Sequence, residues 1–418
     1  MSKVSGTSSK PSRILCRANL LVAWKSSRDS KAQAGTKGID GISARTFSAN
    51  LDLNIQRVVR EIAQGEFHFS SLRPFPIAKA NSDKRRLICI PTVRDRLVQR
   101  RISFHLYHSK LLPIYYEGMS FGFVPEQGVK RAIDRVIEYR QQYDFCFETD
   151  VVSFFDRINR IKLKAKIDSA LKRSSLRNIV MQAVDIEVKP NRDCNTHELK
   201  KLGIHRGLGI RQGMPLSPIL SNLALSDFDK AMKRHRVPVV RYADDIVAFA
   251  KTRSDAEAIA GLIKAELEAL DQSIPDFGID SKTGIVGKSQ PLSFLGREIV
   301  YLESRGRFVQ RVSKSKIDKI KENIRERCSV DRLVVENKNL LDGGRQLSQI
   351  ISSCINSYKD ADNAIHVKYE LQAAMKENIK SMYVQIFGEF AVSKASKKYA
   401  SFLGMETADI GVYEYYDL

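Results

Sequence analysis

The chain has 418 residues, 43% of them hydrophobic, so it is long enough to bury the cores of two or three domains. Lys and Arg number 69 against 48 Asp and Glu, and this charge of +21 predicts a polyanionic partner, with nucleic acid favoured over a membrane surface. No apolar run is long enough to span a bilayer, and the six cysteines lack metal-ligand or redox spacing, so we expect a cytoplasmic protein with reduced thiols.

The first part of the chain is predicted to be helical. Residues 15–25 have helical periodicity, and residues 47–64 form an amphipathic helical pattern. A glycine-dense loop lies between them at residues 34–41. Its spacing fits neither a P-loop nor a dinucleotide fingerprint, so it is a weak candidate for phosphate binding.

A basic hairpin is predicted next, with two strands within residues 75–90 joined by a turn at residues 80–83. The strands would hold Lys79 and Arg86 on a rigid ribbon. A lysine point charge and an arginine fork suit a triphosphate. A solvated basic hairpin without a ligand explains this segment equally well.

Three aspartates are predicted at strand ends. An apolar strand at residues 145–150 ends in Asp150, and two further apolar runs flank the sequence Tyr-Ala-Asp-Asp at residues 242–245. The pattern places Asp244 and Asp245 in the turn of a hairpin. Adjacent carboxylates between buried strands repel each other and lose hydration, and a divalent cation removes that cost. A surface hairpin with an acidic tip is the alternative, but convergence of aspartates from separated segments favours a metal site.

Glycine and proline punctuate the chain before this hairpin. A polar loop or insertion is predicted at residues 186–209, and the glycine-rich stretch 207–222 leads into a helix that runs to residue 233. Its glycines let the backbone approach a ligand closely, and Pro215 and Pro218 fix the entry into the helix.

The last part of the chain changes in composition. A helix at residues 255–270 and a short strand pair at residues 292–299 come first. Beyond residue 311, isoleucines at helical spacing lie among many Lys and Arg residues. We therefore predict a basic helical domain with its boundary near residue 305.

These segments resemble the reverse transcriptase family, and in particular its bacterial group II intron-like branch, from about residue 35 to residue 299. The matching stretches, in the family's order, are residues 35–41, Arg-Leu-Ile-Cys-Ile-Pro at 86–91, Arg-Asp-Arg at 94–96, Phe-Gly-Phe-Val-Pro at 121–125, residues 150–156, Gln-Gly-Met-Pro-Leu-Ser-Pro at 212–218, Tyr-Ala-Asp-Asp at 242–245, Lys-Thr at 282–283 and Phe-Leu-Gly at 294–296. A lone Tyr-Ala-Asp-Asp is a weak signal, whereas the series in one order is specific.

The resemblance implies an α+β right-hand polymerase, with an antiparallel sheet in the palm, mixed fingers and a helical thumb. The corresponding domains are an N-terminal extension at residues 1–74, fingers with part of the palm at 75–145, the palm at 146–304 and a helical thumb or C-terminal domain at 305–418. The thumb's cations would grip a nucleic-acid duplex through its phosphates.

The resemblance also implies two Mg²⁺ ions bound by Asp150, Asp244 and Asp245, an all-carboxylate set of the kind that Mg²⁺ prefers. Lys282 matches the position that can protonate the leaving pyrophosphate.

The substrate would be held by several further residues. By resemblance, Lys79 and Arg86 grip the triphosphate, while Gln212, Gly213 and Tyr242 line the nucleotide and template pocket.

Phe155 lies five residues after Asp150, where the family places a bulky side chain against the sugar. An aromatic ring there would clash with a 2′-hydroxyl, so we predict deoxynucleotide substrates.

Two departures from the branch stand out. Arg211 occupies a position that often holds proline. The chain also has no Cys/His nuclease pattern after the expected thumb, and residues 347–358 look like the helical tail of the stand-alone defence-associated reverse transcriptases. That likeness implies a role in anti-phage defence, in which a dedicated structured non-coding RNA is copied into DNA.

Other functions stay open at this stage. The same chemistry serves group II intron maturases and retrons. An RNA-binding splicing cofactor with an idle polymerase site is a different class, which the intact aspartates argue against. Untemplated or protein-primed synthesis is a third, with Tyr413, Tyr415 or Tyr416 as a conceivable primer. The expected partners are the RNA, dNTPs and an RNA–DNA duplex, with an oligomer or accessory protein possible.

Overall fold

A computed structural model describes residues 11–27, 29, 36–78, 85–109, 111–112, 118–192, 194–278 and 281–394. The chain divides into two compact units, residues 1–285 and 286–418, and each has its own hydrophobic core.

The first unit begins with helices, namely α1 Pro11–Ile14, α2 Arg17–Lys25, α3 Ala44–Ala49 and α4 Leu51–Gln64. The single helix predicted at residues 47–64 is thus two helices, because Asn50 has a non-helical backbone (φ −125°, ψ 41°). The amphipathic pattern of α4 is confirmed in part, since Ile55, Val58 and Ile62 are buried while the apolar Leu53 is 66% exposed. The helix ends at Gly65, whose φ of 76° suits a glycine cap.

The predicted basic hairpin is present as β1 Arg73–Ala78 and β2 Arg85–Ile90, which pair antiparallel. Lys79 and the predicted turn at residues 80–83 lie outside the described residues. The helices α5 Val93–Ser109 and α6 Val129–Gln142 follow.

A mainly buried sheet has the strand order β4-β5-β3-β6. Its strands are β3 Phe145–Asp150, β4 Val239–Tyr242, β5 Asp245–Ala250 and β6 Gly284–Val286. Strand β5 pairs antiparallel with both β3 and β4. Strand β3 precedes the β4–β5 hairpin by about ninety residues in the sequence but pairs with β5. The ends of these strands therefore bring together carboxylates that are far apart in the sequence.

Further helices complete the first unit. They are α7 Phe154–Arg157, α8 Arg160–Ala170, α9 Arg177–Val184, α10 Thr196–Lys201, α11 Ser217–Ala224, α12 Ser226–Arg234 and α13 Arg253–Glu268. The polar segment at residues 186–209, predicted as a loop or insertion, contains α10. That short helix begins with a capping box between Asn195 and Glu198.

The second unit contains the antiparallel strands β7 Leu292–Phe294, β8 Arg297–Leu302 and β9 Arg307–Arg311. The helices that follow are α14 Lys314–Arg327, α15 Val330–Val335, α16 Leu340–Tyr358, α17 Ala364–Phe387 and α18 Glu389–Lys394. The boundary predicted near residue 305 falls inside this unit, because β9 pairs with β8. Assignment of fingers, palm and thumb stays a prediction.

The predicted α+β class with antiparallel sheets is therefore confirmed. Across the described residues, none of the helices combines the length and the apolar character that crossing a membrane requires.

Candidate active site

The ends of β3 and β5 bring two of the predicted carboxylates face to face. Asp150, the last residue of β3, is the register partner of Asp245, the first residue of β5. Register partners in an antiparallel pair lie on the same face of the sheet. Just beyond them, the Val151 amide donates a hydrogen bond of 3.1 Å to the Asp244 carbonyl. The three aspartates are thus neighbours at one edge of the sheet.

The Tyr-Ala-Asp-Asp hairpin turns more tightly than its sequence predicts. Tyr242 pairs with Asp245, so Ala243 and Asp244 form the turn, and Asp245 belongs to a strand rather than to the turn. Ala243 has a φ of 57°, in the left-handed region that residues with a Cβ seldom adopt.

Two of the predicted cations lie near these aspartates. Lys282 forms an ion pair with Asp245. The lysine is anchored by its neighbour, since the hydroxyls of Thr283 and Thr149 share a hydrogen bond of 2.7 Å.

The charge of Arg86 also acts on Asp244. Burial raises the pKa of Asp244, and the nearby Asp150 carboxylate raises it further, while the charges of Lys282 and Arg86 lower it. Burial outweighs the two cations, so the ionisation of Asp244 keeps an uncompensated cost.

The chemistry of the three predicted ligands fits divalent cations, whereas the arrangement of their side chains in this structure does not. The ligand set is three carboxylates, which are hard oxygen donors. Among the described residues, no three His, Cys, Asp or Glu side chains are gathered closely enough to hold a metal ion, and Asp245 is paired with Lys282 instead. A bound cation would supply the charge compensation that Asp244 lacks.

The predicted pocket residues Gln212 and Gly213 lie against β2. The Gln212 carbonyl accepts a hydrogen bond of 2.7 Å from the Cys89 amide. Gly213 has a φ of 108°, and a Cβ there would come within 2.4 Å of the Cys89 carbonyl oxygen. This position requires glycine both for its backbone angle and for the close approach of β2.

Two aromatic rings assigned to the substrate are partly buried. Phe155 lies in α7, where its carbonyl accepts a hydrogen bond of 2.8 Å from the Ile210 amide. Tyr242 ends β4, with its ring centroid 6.4 Å from that of Phe123. Their predicted contacts with the sugar and the base remain predictions.

Glu148 is a carboxyl that the sequence analysis missed. It lies two residues before Asp150 on β3, and therefore on the same face of the sheet. Burial raises its pKa to about 7, against the opposing charges of Lys282 and Arg140, and its Oε2 has no hydrogen-bond partner within the described part of the chain. The sequence does contain a signal for this residue, because Glu148 is an acidic residue within an otherwise mainly apolar strand, two positions before the predicted metal ligand Asp150.

Arg211, the departure from proline, belongs to a buried clamp. Arg211 is only 1% exposed and donates to the His205 carbonyl at 2.8 Å and to Glu187 at 3.3 Å. Arg160 donates to the same carboxylate at 2.6 Å and to the Gly209 carbonyl at 2.8 Å. This clamp fixes the backbone that leads into Gln212 and Gly213.

Comparisons with known proteins identify the family of this chain. The family described as "Reverse transcriptase (RNA-dependent DNA polymerase)" matches residues 77–299. Protein YkfC of Escherichia coli (strain K12) is 26% identical over 322 residues, covering 65% of this chain and 78% of YkfC. The group II intron-encoded protein LtrA of Lactococcus lactis subsp. cremoris is 26% identical over 219 residues, covering 52% of this chain and 34% of LtrA.

Among solved structures, telomerase from Candida albicans in complex with a fragment of telomeric RNA aligns with a TM-score of 0.43 and 11% identity, over 87% of this chain and 68% of that one. The family match spans more than half of the chain and includes all three aspartates. The chain belongs to the reverse transcriptase family, the RNA-dependent DNA polymerases.

Proposed function

We propose that the protein copies an RNA template into DNA at the edge of the sheet where Asp150, Asp244 and Asp245 meet. The observation that carries this proposal is the register of Asp150 with Asp245, beside a half-buried Asp244 whose pKa is raised. Lys282 and Arg86 supply positive charge beside these carboxylates, where a triphosphate would need it.

The three aspartates would hold two Mg²⁺ ions, which when bound activate the primer 3′-hydroxyl and neutralise the triphosphate. The chain's own residues orient the reactants. Arg86 and Lys79 grip the phosphates, Gln212 and Gly213 seat the nucleotide against β2, and Lys282 donates a proton to the leaving pyrophosphate.

The decisive test is primer extension on an RNA template with Mg²⁺ and dNTPs. We expect DNA synthesis from the wild type and none from a variant that combines Asp244→Ala with Asp245→Ala. Asp134→Ala, which removes an exposed partner of Lys130, is the matched control and should synthesise DNA normally. RNA binding without synthesis on any template would overturn the proposal in favour of a splicing cofactor.

Phe155 is proposed to select deoxynucleotides by blocking the 2′-hydroxyl. Phe155→Ala should therefore incorporate NTPs more readily, by about 10- to 100-fold relative to dNTPs. Single-nucleotide incorporation with each substrate measures the ratio, and an unchanged ratio would remove Phe155 from sugar selection.

We propose anti-phage defence as the biological role, with a dedicated structured RNA as template. The support is the resemblance of residues 347–358 to the tail of defence-associated enzymes. The likeness to LtrA favours an intron-encoded protein as the second candidate. Sequencing of RNA co-purified with the protein separates them, because an intron transcript would identify a maturase, and a compact non-coding RNA encoded beside the gene would support defence.

A further inference from the structure

Arg241, the residue before the Tyr-Ala-Asp-Asp motif, is completely buried, and so is its partner Asp229 on α12. The guanidinium donates from Nε to Asp229 Oδ1 at 2.8 Å and from Nη2 to Asp229 Oδ2 at 2.5 Å. A buried ion pair is an inefficient source of stability, since apolar residues of similar volume are often as stable. Its presence here therefore calls for a reason other than stability.

The third nitrogen of Arg241 holds the catalytic turn. Nη1 donates to the Ala243 carbonyl at 3.0 Å and to Asn222 Oδ1 at 3.0 Å. Ala243 is the residue with the left-handed backbone, and Asp244 and Asp245 follow it directly. Such a conformation persists in alanine only where the surroundings hold it, and this hydrogen bond is a direct restraint on it.

The same network fixes a second segment beside the turn. Asn222 donates to the Gly122 carbonyl at 2.8 Å and accepts from the Ser120 hydroxyl at 3.1 Å. Gly122 is packed so closely that a Cβ there would lie 2.6 Å from the Ala243 amide nitrogen. The turn is thus restrained on two sides: Arg241 donates a hydrogen bond to the Ala243 carbonyl, and Gly122 packs against the Ala243 amide.

We propose that Arg241 and Asp229 are positioning residues, which set the left-handed turn at Ala243 and thereby align Asp244 and Asp245. The inference rests on the proposed function of these two aspartates. Asp229 orients the guanidinium through two bonds, Asn222 limits its rotation, and the remaining bond fixes the turn.

The test separates positioning from stability. A variant combining Arg241→Met with Asp229→Leu replaces the ion pair by apolar side chains, while Asn222 keeps its bond from Ser120. We expect a Tm close to the wild type, a kcat lower by about 10²-fold because the carboxylates are misplaced, and a higher divalent-ion concentration for half-maximal synthesis. A variant with wild-type Tm, kcat and divalent dependence would overturn the proposal.

Arg241→Lys keeps the test informative where the double variant fails to fold. Arg241 uses different nitrogens for Asp229 and for the pair of Asn222 and Ala243. Lysine has a single nitrogen, so a lysine paired with Asp229 cannot also occupy the position of Nη1, and the same kinetic changes are expected. The matched control is Arg96→Lys, because Arg96 is also a buried arginine paired with an aspartate, Asp29. The control should lose stability and keep the wild-type divalent dependence, and an equal kinetic effect in both variants would overturn the proposal.

Two readouts do not depend on synthesis. Amide hydrogen exchange in a peptide covering residues 239–250 should accelerate in Arg241→Lys and not in Arg96→Lys, and Mn²⁺ binding followed by electron paramagnetic resonance should weaken. A wild type that makes no DNA would refute the proposed function, while exchange and Mn²⁺ binding would still decide the role of Arg241. Unchanged hydrogen exchange and unchanged Mn²⁺ binding in Arg241→Lys would refute the positioning role of Arg241.

Discussion

Glu148 makes stability depend on pH in a predictable direction. Burial raises its pKa from 4.5 to about 7, so the folded protein holds this proton more tightly than the unfolded chain does. The associated stability is present in full below pH 4.5 and is lost as the pH rises through about 7. In EDTA, the wild-type Tm should fall by a few degrees between about pH 5 and about pH 8, and Glu148→Gln should fall less. Parallel curves for the two proteins would contradict this assignment.

Gly213 is a second residue whose substitution has a defined outcome. Gly213→Ala would force a Cβ to within 2.4 Å of the Cys89 carbonyl oxygen, so we expect a lower Tm and a loss of primer extension. Gly261→Ala is the matched control, because Gly261 lies within α13 with open space around it and should gain about 0.5–1 kcal/mol. Full activity in Gly213→Ala would show that β2 can move aside.

At this scale, the sequence predicts residues at strand ends better than it predicts their partners. Asp150 and Asp245 could be placed together because apolar runs mark where each strand ends. The partners of Arg211 and Arg241 could not, because Glu187 and Asp229 lie 24 and 12 residues away and a lone acidic residue carries no pairing signal. The left-handed backbone at Ala243 could not be predicted either, because it depends on contacts with Arg241 and Gly122 that the sequence does not indicate.

Among the elements, the segment between α9 and α11 depends on the clamp at Glu187. Its carboxylate accepts from Arg160 and Arg211, which are 6% and 1% exposed, and from the Gly207 amide. Glu187→Ala would leave two buried guanidiniums without their counter-charge, at a cost of up to about 3–5 kcal/mol. The free energy of unfolding, obtained from urea denaturation of the variant and the wild type, measures this loss. Asp168→Ala, which breaks the exposed pair with Arg177, is the control and should cost about 0–1 kcal/mol, and equal losses would refute the clamp.

Periodicity predicted several helices and strands, and it missed elements that local backbone conformation or distant pairing defines. The helix break at Asn50 was missed because apolar spacing continues across it. Helix α10 was missed because its polar sequence shows no apolar face, and capping by Asn195 defines it instead. Strand β9 was missed because its sequence, Arg-Phe-Val-Gln-Arg, joins the sheet through pairing with β8.

Across the whole molecule, the charge of +21 predicts RNA binding that weakens steeply with salt. Each phosphate neutralised releases condensed counterions, so log K should fall with log salt by about 0.7 per contact for single strands and about 0.9 for duplex. The basic helix α14 presents Lys316 and Lys319 as exposed side chains, whereas Lys321 is paired with Glu370. We expect Lys316→Gln and Lys319→Gln each to reduce the slope by about 1.

The control for this prediction is Lys321→Gln, which removes a charge already paired within the protein and should leave the slope nearly unchanged. Binding of one RNA–DNA duplex is measured by fluorescence anisotropy across a salt series. The Tm of each full-length variant is measured as well, and only variants whose Tm matches the wild type are compared. Because the two exposed lysines and the paired lysine lie on one helix, a general loss of charge would change all three slopes alike. Equal changes in all three slopes would therefore contradict specific phosphate contacts by Lys316 and Lys319, and unchanged slopes would exclude these two lysines from the duplex interface. A change confined to Lys316 and Lys319 would identify α14 as part of that interface.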